Sequence, residues 1–135
     1  MKTIVALLVV VAFISCASAP PPTPEQIAAA DYGPFPENYQ EIVQSHMANV
    51  LIDPASAEYV NWRGPSKGWA GDRMSGYSFG YRVCVEVNAK NRMGGYAGRK
   101  LWHFVIRDGK VAQSLGGYDY GTVGAEEALK YCSSV

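Results

Sequence analysis

Between Tyr77 and Asn88 the chain alternates without a break. Tyr77, Phe79, Tyr81, Val83, Val85 and Val87 are separated by Ser78, Gly80, Arg82, Cys84, Glu86 and Asn88. A period of two sustained over this stretch belongs to a strand with one face against a core, because a helix would scatter these side chains around its axis. A strand needs partners. Lys100 to Ile106 supplies the next, with Trp102, Phe104 and Ile106 on one side and Leu101, His103 and Val105 on the other, the pattern of a central position. Asp108-Gly109 is a hairpin turn signal leading to a last strand over Lys110 to Leu115. Upstream, Glu58 to Trp62 reads as a short strand, and residues 64–76 as a glycine-punctuated loop that carries Trp69.

Helical spacing flanks these strands. Tyr39, Ile42, Val43, Met47, Val50 and Leu51 fall on one face of an amphipathic helix over Glu37 to Leu51, and His46 lies at the edge of that stripe. Asp53-Pro54 ends it, since a residue before proline is pushed out of the α region. Ala125 to Cys132 is the second helix. The order α-β-β-β-β-α predicts an α+β fold: an antiparallel sheet of about four strands with an N-terminal and a C-terminal helix packed on one side of it. Residues 37–135 suffice for one such domain and no more.

The N-terminus reads as an address. Lys2 precedes an apolar run, Thr3 to Ile14, that fits the central region of a secretory signal and falls short of the roughly 20 residues a membrane-spanning helix needs. Phe13-Ile14-Ser15-Cys16 resembles the lipobox of bacterial lipoproteins, in which cleavage frees a cysteine that becomes the lipidated N-terminus; Ala17-Ser18-Ala19 is a competing cleavage site that would leave a soluble periplasmic or secreted protein. The lipobox resemblance makes residues 1–16 a signal peptide ending at lipidated Cys16. Ala17 after that cysteine, rather than Asp, implies transfer to the outer membrane, facing the periplasm. Residues 17–36 contain six prolines and read as a tether. With Cys16 carrying lipid, Cys84 and Cys132 are left as a pair in an oxidising compartment. A disulfide across that span stabilises by roughly 3–4 kcal/mol in the chain-entropy model.

Twelve Lys and Arg balance twelve Asp and Glu, which argues against a nucleic-acid partner. The balance is uneven along the chain. Residues 63–110 hold ten basic and three acidic residues, whereas residues 17–62 hold six acidic residues and neither Lys nor Arg. A basic face of this kind suits lipid headgroups, cell-wall polymer or an acidic partner, unless the segments neutralise one another in the fold. Eleven of the 16 aromatic residues lie between Tyr59 and Tyr120, and Trp69 and Tyr96 stand in glycine-rich surroundings that would expose them for stacking or interface anchoring. The segment 88–98 is longer than a tight hairpin requires and rich in Asn and Gly. It lacks the GK[ST] of a phosphate-binding P-loop, and its place between two strands is wrong for a dinucleotide fingerprint.

Asp53-Pro54-Ala55-Ser56-Ala57, followed by Val83-Cys84, Val87-Asn88-Ala89-Lys90-Asn91 and Gly94-Gly95-Tyr96-Ala97-Gly98, resembles a group of small, mostly uncharacterised bacterial exported proteins. These share a DPxSA element and a VCxxVNAKNxxGGYxG segment. The resemblance spans roughly 53–105 and implies no established activity; Val85 and Met93 depart from the pattern.

His46 and His103 lie on separate elements, and no HExxH, GxSxG or SxxK pattern is present. The expectation is therefore a lipid-anchored periplasmic binding or interaction module of the bacterial cell envelope, without catalysis, cofactor or metal. Its membrane contact is the lipid, and its partner is an envelope protein or a cell-wall glycan. The candidate binding residues are Trp69, Asn88, Lys90, Asn91, Arg92 and Tyr96. The alternative is a cell-wall-active enzyme or a protein inhibitor of an envelope hydrolase.

Overall fold

The computed structural model describes residues 20–135. The signal segment and Cys16 lie outside the described residues. Four antiparallel strands form one sheet in the order β1-β2-β3-β4: β1 Glu58–Asp72, β2 Gly76–Asn88, β3 Lys100–Arg107 and β4 Lys110–Gly116. Helix α1 (Pro24–Ala29) and helix α2 (Tyr39–Met47) precede the sheet, and helix α3 (Val123–Cys132) follows it. The α+β architecture is the one the periodicities predict.

The alternation in β2 divides the molecule into two cores. Val83, Val85 and Val87 face Phe104 and Ile106 of β3 together with Val43 and Met47 of α2, and all seven are buried. Removing a side chain such as Met47 from water contributes roughly 2 kcal/mol. The opposite parity, Cys84 of β2 and Leu101 of β3, packs against Ala128 and Cys132 of α3. The helices therefore cover opposite faces of the sheet, which corrects the expectation that they share one side. The physical reason is parity: Cys84 points away from the valines, so a helix bonded to it must lie on the other face. Cys84 and Cys132 are at bonding distance, with Cα atoms 5.9 Å apart, the separation a disulfide requires.

A second correction concerns residues 64–76. Only 73–75 form the turn: β1 runs on to Asp72 and pairs with β2 from Ser66↔Arg82 to Asp72↔Gly76. Register shifts after Val60 and Arg63 absorb the irregularity of this stretch, where Asn61 adopts φ +55°. Pro65 is tolerated because β1 is an edge strand. Trp69 therefore sits on a strand opposite Phe79, half-buried, with its ring edge-to-face on Tyr77 at 5.3 Å.

Residues 24–36, read from composition as part of a tether, lie against the sheet. Thr23 and Gln26 form a reciprocal capping box that starts α1. Tyr32 and Phe35 meet Phe79 and Tyr81 edge-to-face, and Asp31 pairs with Arg107 at 3.0 Å.

Candidate functional site

The crossover from β2 to β3 is the most exposed ordered segment of the sheet: every residue from 91 to 99 is exposed, and Met93 is 94% accessible. Its shape is held from within. The Asn91 backbone N–H donates to the Gly95 carbonyl at 2.8 Å, and the Asn91 side-chain oxygen accepts from the Met93 and Gly95 amides. Asn88 closes the base of the loop by accepting from the Gly98 amide at 3.1 Å. Gly94 and Gly98, at φ +79° and +90°, take the left-handed conformations this path demands. The side-chain oxygens of both asparagines are thus engaged on the loop's own backbone.

One link ties the two motif segments together. The Ser56 hydroxyl donates to the Asp53 carbonyl at 2.8 Å and accepts from the Lys90 backbone N–H at 2.9 Å. The DPASA turn is a buttress for the loop, a role that residue spacing does not reveal. Substituting Ser56→Ala leaves the partly buried Lys90 amide without its acceptor. It should lower stability by about 1 kcal/mol and accelerate hydrogen exchange at that amide, as urea titration and exchange NMR would report.

Lys90 and Tyr96 form an isolated antiparallel bridge, with the Lys90 ammonium 5.6 Å from the centre of the Tyr96 ring. Arg92 and Arg99 are exposed on the same loop. Beneath it lies a cleft of about 270 Å³ whose walls include Ile52, Lys90, Asn91, Lys100 and Trp102. Four of the six candidate binding residues, Lys90, Asn91, Arg92 and Tyr96, are therefore grouped on this loop, with Asn88 at its root. Trp69 is not part of the group, since it belongs to the far half of the β1–β2 hairpin. Lys100, Trp102 and Ile52 were missed. Helix α2 ends at Met47 and not at Leu51 as the spacing predicts, so Val50-Leu51-Ile52 runs on as a turn beside the loop, with Ile52 61% exposed.

Charges in the basic span are only partly neutralised. Lys100 pairs with Asp119 at 3.3 Å and Arg107 with Asp31 and Asp108; the other eight basic residues of 63–110 have no carboxylate partner among the described residues.

The sheet separates the two histidines. His46 on α2 meets Phe104 edge-to-face at 5.9 Å, and His103 stacks on Tyr131 of α3 at 4.9 Å. His103 is fully buried, neither ring nitrogen has a hydrogen-bond partner among the described residues, and burial followed by the nearby Arg82 charge pushes its pKa down to about 4. Its surroundings make it an aromatic plate of the α3 core, held neutral. Among the described residues no group of three or more His, Cys, Asp or Glu side chains is gathered to hold a metal ion, and no helix is long and apolar enough to cross a membrane. No family model, curated protein or solved structure matches the chain, so a functional reading rests on the chemistry of the site itself.

Proposed function

We propose that this protein is a lipid-anchored, periplasm-facing binding module of the bacterial cell envelope, without catalysis, and that the 88–98 loop is its contact face. The observation that carries the reading is a loop exposed from 91 to 99 yet internally braced, presenting Met93 and Tyr96 among Lys90, Arg92 and Arg99. Folding does not call for large apolar side chains in water there, and such exposure on a braced loop is the mark of a contact surface. A pre-shaped loop loses little entropy on docking, and aromatic and Arg side chains dominate interface energetics. The partner that suits this chemistry is an acidic envelope protein or an anionic cell-wall glycan, with the cations steering and Tyr96 stacking.

The test is co-sedimentation with purified peptidoglycan and cross-linking from the loop in envelope membranes, comparing wild type with a Lys90→Ala/Arg92→Ala/Tyr96→Ala variant. Binding should fall at least roughly tenfold in the variant, with unchanged melting. Equal recovery by both proteins would remove the loop from the reading, and turnover of peptidoglycan by the wild type would overturn its non-catalytic part. Mass spectrometry of the mature chain, reading acyl groups on Cys16, tests the anchor. A captured envelope hydrolase whose turnover is suppressed by wild type and restored by the triple variant would establish an inhibitor instead.

A further inference from the structure

A second cluster of cations lies away from the loop, at the free edge of β1. Lys67 of β1, Arg82 of β2 and Lys130 in the last turn of α3 line one pocket of about 420 Å³, and no carboxylate side chain is among its walls. Aromatic faces complete it: Tyr32, which carries the Lys67 ammonium 5.7 Å above its ring, and Trp69. Neither lysine makes an ion pair among the described residues.

Arg82 is built into this pocket. Its guanidinium donates to the Ser134 carbonyl at 2.9 Å and to the Ser134 hydroxyl at 3.0 Å, which fixes it against the end of α3. Its Nε–H is buried and has no acceptor among the described residues. Gly68 makes the arrangement possible, because a Cβ at that position would collide with the guanidinium. The edge strand thus gives up a side chain so that a cation can lie across it.

We propose that this pocket binds the phosphate group of a small molecule with a ring or acyl body. Three positively charged side chains lining one pocket, with no carboxylate side chain among its walls, favour a dianion over a monocarboxylate, and the aromatic walls receive the apolar part. The phosphate monoester is the shared chemistry of two sources, a soluble aryl or sugar phosphate and a phosphatidic acid headgroup. The proposal is independent of the 88–98 loop and of the state of Cys16.

The experiment titrates the purified full chain, by calorimetry and by tryptophan fluorescence, with phenyl phosphate, with benzoate and with a short-chain phosphatidic acid below its micelle concentration. Saturable binding of phenyl phosphate or of the lipid is expected, weakened at least roughly tenfold in Lys67→Ala/Lys130→Ala. Both replaced lysines are exposed, so the fold and melting temperature of that variant should match wild type. Which of the two ligands saturates identifies the source. Saturation by neither, undiminished binding in the double variant, or benzoate binding as tightly as phenyl phosphate would each overturn the proposal.

Discussion

Replacing Cys84 and Cys132 together by alanine is expected to lower stability by roughly 3–4 kcal/mol, the loop-entropy contribution of a link across 48 residues. For a domain of this size that corresponds to a fall in melting temperature on the order of 15–25 °C. The effect should be concentrated on α3. This helix faces the sheet with Ala125, Ala128 and Cys132, all small, while Val123 and Leu129 are exposed. Apart from Tyr131 stacked on His103, its apolar attachment is therefore thin, and the sulfur bridge ties it covalently to β2. Amides of α3 should exchange much faster in the variant while those of β2 and β3 keep most of their protection. The same change should follow chemical reduction. An unaltered urea midpoint under reductant, with alkylation proving both thiols free, would show that packing alone holds the helix.

The legible parts of the fold were those written in local period. The β2 alternation and the two-sided apolar character of β3 located the sheet's centre, and Asp108-Gly109 located the β3–β4 turn. What escaped were features whose cause lies across the molecule. Gly68 and Gly71 look like breakers in the sequence, yet both sit in β1 where another group comes too close for a Cβ: Arg82 at one, the Gly76 backbone at the other. Tyr32 and Phe35 belong to no periodic stripe, so their docking on Phe79 and Tyr81 left no trace in a proline-rich segment. The candidate loop was visible through its Asn and Gly content, because those residues act locally on backbone amides. Its buttress from Ser56 and its floor of Lys100 and Trp102 were not, since they depend on which chain ends meet at one edge of the sheet.

The acid response of the protein should be governed largely by His103. Its folded pKa of about 4 lies below the ordinary 6.5, so the two states take up their proton at different pH. Above 6.5 the imidazole is neutral in both, and its titration leaves stability unchanged. As pH falls from 6.5 to 4 the unfolded chain binds the proton first, and stability drops by about 1.4 kcal/mol per pH unit, about 3 kcal/mol across the window. Burial is the main cause of this direction, and the Arg82 charge of β2 reinforces it by opposing a second positive charge. Asp72 and Glu127 line the adjoining cavity of about 300 Å³, but neither reaches the imidazole nitrogens. Substituting His103→Phe keeps an aromatic plate under Tyr131 and removes the titrating group. Urea titrations of wild type and variant at half-unit steps from pH 7.5 to 4 isolate this one residue, because every other titrating group is common to both. The two curves should run level above pH 7 and separate below it, the variant retaining about 3 kcal/mol more at pH 4. His103→Leu provides a check on packing, since it lacks the ring but shares the absence of charge and should separate from wild type over the same interval. Parallel curves for wild type and both variants would mean that the imidazole is protonated within the fold, and that the α3 face is open to water at acid pH.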